Sequence, residues 1–103
     1  MYAVILAAAG YVVQAFNDRV EALASLKGER KKPELLITDF SGHAMPADRF
    51  MQRCLRAHPF LRILMASGLN QNGAWFSVTP DRFLRKPFTA EKFLEEVRAV
   101  LSA

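Results

Sequence analysis

Three residues each close a short apolar run: Asp39 ends LLITD, Ser67 follows ILMA and Lys86 follows FLR. A carboxylate, a hydroxyl and an ammonium brought together would enclose a small pocket suited to an anion. Asp39 could act as a nucleophile toward phosphorus and form an acyl phosphate. Lys86 would neutralise phosphoryl charge, and Ser67 would offer a hydrogen bond to a phosphoryl oxygen. Pro87 follows the lysine, which makes the Lys86-Pro87 bond a candidate for the cis form.

Such chemistry needs elements that carry the three run ends to one place. Continuous apolar runs such as LLIT (35–38) and RILMA (62–66) typify strands covered on both faces, as in parallel sheets. RFL (82–84) reads as another short strand, and the β-branched and aromatic YVVQAF (11–16) as a further one. Asn17 and Asp18 can cap a helix with Val20, Leu23, Ala24 and Leu26 on its apolar side. The spacing of Ala47, Phe50, Met51, Cys54 and Leu55 predicts a helix over 47–57, ended by His58-Pro59. Thr89 caps a last helix whose apolar face is Phe93, Leu94, Val97, Val100 and Leu101. The segment NQNGAWFSVTP (70–80) carries the weakest signal, at most a distorted helical turn, with Trp75 and Phe76 expected to cover the core. Alternating strands and helices predict an α/β fold: a parallel sheet with helices on both faces and its chemistry at the carboxyl ends of the strands.

The first ten residues, MYAVILAAAG, admit two readings. A strand entering a nucleotide-binding loop would need further glycines and a basic residue next, but Tyr11-Val12-Val13 follows. A helix places Tyr2, Ile5, Leu6 and Ala9 on one face and leaves Gly10 as its C-cap. The helix is the expected form.

The chain has 103 residues, which suits one domain. Its content of 51% hydrophobic and 23% charged residues is that of an ordinary soluble globular protein. A single cysteine, Cys54, excludes an internal disulfide and suits a reducing, cytoplasmic setting, where it is expected as an inert buried thiol. The longest apolar run, Ala3 to Ala9, falls far short of the ~20 residues of a membrane span, and no basic leader precedes it, so neither a membrane segment nor a secretory signal is expected. The net charge of +4 comes from basic residues spread along the chain with Asp and Glu interleaved, which predicts a solvated surface rather than a nucleic-acid site. Asp39, Ser41 and His43 alternate along a loop and make no hydrolytic relay; His43 and His58 are expected as solvated loop residues.

In order, the three motifs resemble those of the receiver domain of two-component response regulators, a flavodoxin-like fold with strand order 2-1-3-4-5. LLITDF resembles the third strand, which implies Asp39 as the phosphoacceptor. ILMASG resembles the fourth strand with its switch hydroxyl, here Ser67. FLRKPFT resembles the fifth strand with its lysine at Lys86, its cis-proline at Pro87 and its switch aromatic at Phe83. LAAAGYVV resembles the end of the first helix running into the second strand, so the resemblance covers essentially the whole chain. It implies a phosphorelay signalling domain whose Asp39 accepts a phosphoryl group, with Mg²⁺, from a histidine kinase or a histidine phosphotransfer protein. Ser67 and Phe83 would then shift and change a face that partners read. It implies no enzyme activity beyond self-phosphorylation and slow hydrolysis.

Several features depart from that family. Receivers open with a strand ending in an acidic pair, which holds Mg²⁺ together with the phosphoacceptor and the backbone carbonyl two residues after it, here Ser41. Nothing before Asp18 is acidic. The chain is therefore expected to be N-terminally truncated relative to the family, without the first, central strand, and its metal site of Asp39 and Ser41 to be incomplete, since Mg²⁺ prefers carboxylates and water. A missing central strand would leave unpaired edges, which closing of the gap, a homo-oligomer or a strand swap would each answer. Gly42 and His43 stand where many receivers carry Met-Pro, and the span from Ser67 to Lys86 is shorter than usual. These departures support an alternative: a degenerate receiver acting as a phosphorylation-independent protein-interaction module.

Overall fold

The computed structural model describes residues 2–28, 32–39, 45–68 and 77–102. In chain order the elements are α1 (Tyr2–Ala8), α2 (Arg19–Gly28), β1 (Leu35–Asp39), α3 (Ala47–Ala57), β2 (Arg62–Ser67), β3 (Arg82–Arg85) and α4 (Ala90–Ser102). The three strands form a parallel sheet in the order β1-β2-β3. Parallel neighbours need a crossover, and α3 supplies the one between β1 and β2.

Strand β2 lies between its two neighbours and is covered on both faces, which explains why its sequence is apolar at consecutive positions. Leu64 joins Leu6 of α1, Leu84 of β3, and Phe93, Val97 and Val100 of α4. Ile63 and Met65 point the other way, into a cluster with Ala47 and Met51 of α3. On that same side Leu23 and Leu26 of α2 meet Phe50 and Cys54 of α3. The sheet therefore carries α1 and α4 on one face and α2 and α3 on the other, as the sequence predicts.

Local chemistry sets the element ends. Asp18 Oδ1 accepts the Val20 N–H at 2.9 Å to start α2, and Thr89 Oγ1 accepts the Lys92 N–H at 3.0 Å to start α4. Asp81, just before β3, accepts the Ile63 N–H at 2.7 Å and donates its own N–H to the Ile63 carbonyl at 2.9 Å, which pins the start of β2. Among the described residues, no helix is long and apolar enough to cross a membrane.

The N-terminal segment is a helix, not a strand. It ends in a Schellman motif: the Tyr11 N–H donates to the Leu6 carbonyl at 3.1 Å and the Gly10 N–H to the Ala7 carbonyl at 3.0 Å, with Gly10 at φ 96°. The strand predicted for Tyr11–Phe16 does not form. Tyr11 and Val13 pack against the Leu6 and Leu64 cluster, while Val12 and Phe16 are exposed. Packing of two side chains is met without a ladder, and β-propensity expresses fit to a pleated surface that here has no strand neighbour among the described residues. Of the weak segment 70–80, only 77–80 lies among the described residues and it is not helical; Trp75 and Phe76 lie outside them.

Gly10 and Gly28 both have open space where a Cβ would be placed, but only Gly10 has a positive φ. Gly10→Ala is therefore expected to lower the unfolding free energy by about 1 kcal/mol in urea denaturation, while Gly28→Ala is neutral or stabilising.

Candidate functional site

Strand register brings the three polar run ends together. Asp39 pairs with Ala66, the residue before Ser67, and Ser67 pairs with Arg85, the residue before Lys86. The Lys86 N–H donates to the Ser67 carbonyl at 2.8 Å, carrying the β2–β3 pairing one step past the strand. The Lys86-Pro87 bond is cis. Across β2, Lys86 Nζ lies 3.0 Å from Asp39 Oδ1, with the two side chains 40% and 38% exposed. An ion pair this open is worth only about 0–1 kcal/mol to folding. Its placement therefore matters more to the chemistry of the carboxylate than to stability.

Tyr2 adds a donor. Its hydroxyl donates to the same Asp39 Oδ1 at 3.1 Å, and its ring stacks on Phe93 at 5.0 Å and tilts against Phe88 at 5.7 Å. Burial, then the Asp39 charge and this hydrogen bond, push the Tyr2 phenol up to about 12, so it stays a neutral donor at physiological pH.

Arg19, at the start of α2, reaches the backbone of the same strand end. It is 5% exposed. Its guanidinium donates to the Asp39 carbonyl, to the Met45 carbonyl at 2.6 Å and to Thr38 Oγ1 at 3.4 Å, and it lies 5.6 Å from the centre of the Phe50 ring. Burial lowers its pKa and the Asp39 charge opposes that shift.

The other predicted residues are placed as follows. Ser67 is buried at the end of β2, and Phe83 is half-buried against the Ala47 and Met51 cluster. Ser41, Gly42 and His43 lie outside the described residues. Cys54 is buried among apolar side chains, and that burial pushes its thiol up to about 11, consistent with an inert role. His58 is not simply a solvated loop residue: it ends α3 with Nε2 2.9 Å from the Pro33 carbonyl.

The motifs around Asp39 imply Mg²⁺, but the residues described there do not fit it. The side chains gathered at this strand end are an ammonium, a guanidinium and a neutral phenol. Among the described residues, no group of three or more His, Cys, Asp or Glu converges to hold a metal ion.

Tyr2 and Arg19 are absent from the motif reading. Each left a trace in the sequence. A tyrosine on the apolar face of a helix must still find a partner for its hydroxyl. An arginine in the first turn of a helix stands against the helix dipole, which marks it as held there by something else.

In a Tyr11→Phe background, tyrosinate absorbance reports Tyr2 alone and is expected to titrate near 12, with Asp39→Asn lowering the midpoint. Because the folded state holds this proton more tightly, Tyr2's contribution to stability is complete below about pH 10 and is lost as pH rises towards 12. Urea midpoints measured across that window should fall less in Tyr2→Phe.

No family model and no curated protein matches the sequence. Solved structures do. A CheY-like response regulator receiver domain protein from Methanospirillum hungatei superposes with a TM-score of 0.85 at 22% identity, over 98% of this chain and 82% of that one. The chemotaxis response regulator CheY4 of Vibrio cholerae gives 0.83 at 28% identity, over 97% and 86%. The receiver domain of NtrX from Brucella abortus gives 0.80 at 23% identity, over 99% and 88%. The chain has the fold of CheY-like receiver domains, with three parallel strands among its described residues.

Proposed function

We propose that this chain is the phosphoacceptor domain of a two-component phosphorelay, with Asp39 receiving a phosphoryl group from a histidine kinase or a histidine phosphotransfer protein in the cytoplasm. The observation that carries this reading is the contact of Lys86 Nζ with Asp39 Oδ1 at adjoining strand ends, with Ser67 in register between them. An Asp39 carboxylate oxygen forms a bond to phosphorus as the bond from phosphorus to the donor atom breaks. Lys86 offsets the charge gathering on the phosphoryl oxygens, and Ser67 follows the new group. The chain performs no further chemistry beyond slow hydrolysis of its own acyl phosphate. Downstream, the reading surface is the groove of about 510 Å³ between β3 and α4, lined by Phe83, Pro87, Phe88, Lys92 and Glu96.

A second reading, a phosphorylation-independent interaction module, is favoured by the absence of an acidic cluster around Asp39 among the described residues.

Intact mass after incubation with acetyl phosphate separates the two. The parent is expected to gain about 80 Da, the mass of one phosphoryl group, and Asp39→Asn to gain nothing. Lys86→Met should lower the rate of gain by on the order of a hundred-fold. An unmodified parent would overturn the acceptor reading and favour the interaction module instead.

A further inference from the structure

Among the described residues, three oxygens at or beside the end of β1 that could serve a hard cation already accept from a guanidinium. Mg²⁺ binds oxygen: carboxylates, carbonyls and water. Here the Asp39 carbonyl, the Met45 carbonyl and Thr38 Oγ1 each accept from the Arg19 guanidinium. Arg19 is buried, so its charge is poorly screened by water and acts at close range on Asp39. Lys86 stands on the carboxylate itself at 3.0 Å. One carboxylate between two cations leaves a local positive excess. A divalent cation would enlarge that excess, whereas conversion of the carboxylate to a dianionic acyl phosphate would cancel it. The Arg19 Nε is also buried and has no acceptor among the described residues.

We infer that Arg19 stands in for the divalent cation beside Asp39, so that the site takes a phosphoryl group without a metal. The inference rests on the acceptor reading above and deepens it. Arg19 is a positioning residue: it touches the backbone of Asp39 and not the reacting oxygens. Through those contacts it ties α2 to the end of β1 and to the start of α3, and it holds a fixed positive charge behind the carboxylate. Acetyl phosphate supplies the balanced test reaction. An Asp39 carboxylate oxygen bonds to phosphorus, the bond from phosphorus to the acetyl oxygen breaks, and acetate leaves with the electron pair without a proton transfer.

Two measurements on the 103-residue chain test this. In the first, labelling by acetyl phosphate is followed by intact mass in magnesium chloride and in EDTA. The parent is expected to label at the same rate in both, and Arg19→Gln to lose about ten-fold in EDTA, below the effect of removing a donor that touches the reacting oxygens. Arg19→Lys, which keeps the charge, should recover part of that loss, and thermal melts of both variants report whether they fold. In the second, Mn²⁺ is titrated into the parent and the broadening of the Thr38 and Asp39 amide signals is read by NMR, with no selective broadening expected. Saturable broadening at those amides, or parent labelling that EDTA abolishes, overturns the inference and leaves the acceptor reading intact. No labelling in either buffer overturns the acceptor reading, and the Mn²⁺ titration still decides whether the site excludes a metal.

Discussion

Burial of β2 on both faces is the constraint from which the rest of this structure follows. Ile63 and Met65 are claimed by one helical layer and Leu64 by the other, so the strand can neither rotate nor slip by one residue without exchanging its two cores. With β2 held, parallel pairing places Asp39 beside Ala66 and Arg85 beside Ser67. The carboxylate, the hydroxyl and the lysine that follows Arg85 then emerge at the same end of the sheet. The site is a by-product of core packing, and its precision is that of the core.

Charge at that end is distributed unevenly in depth. Lys86 and Asp39 meet where water still reaches both, which keeps their attraction modest and leaves the carboxylate open to a reagent. Arg19 sits underneath, out of water, and a buried guanidinium is costly unless its donors are satisfied. Two carbonyls, a hydroxyl and the face of Phe50 offset most of that cost, with Nε left without an acceptor among the described residues. Those partners come from β1 and from the entry to α3, so one side chain of α2 ties three parts of the fold to the position of Asp39. Tyr2 does the same from the opposite face, joining α1 to the carboxylate through its hydroxyl and to α4 through Phe93.

Much of this was legible in the chain. The stripe from Ala47 to Leu55 gave a helix over the observed range because an amphipathic period states which face must be buried, and Gly10 announced the end of α1 because its positive φ suits glycine. The runs ending in Asp39 and Ser67 read as buried strands because consecutive apolar residues need cover on both faces. YVVQAF misled for a related reason. Its composition suits a pleated surface, but a strand also needs a neighbour to share its ladder, and composition carries no information about neighbours.

The amino-acid sequence by itself determined the alternation of helices and strands, the residues that face the core, and the identity of Asp39, Ser67 and Lys86 as the polar ends of apolar runs. These depend on local periodicity and on chemical type, which are written along the chain. Tertiary structure alone decided what surrounds the carboxylate. Tyr2 and Arg19 lie 37 and 20 positions away from Asp39 along the chain and reach it only because α1 and α2 pack on opposite faces of the sheet. Periodicity can say that a side chain points inward; only the packed layers determine which charge it meets there.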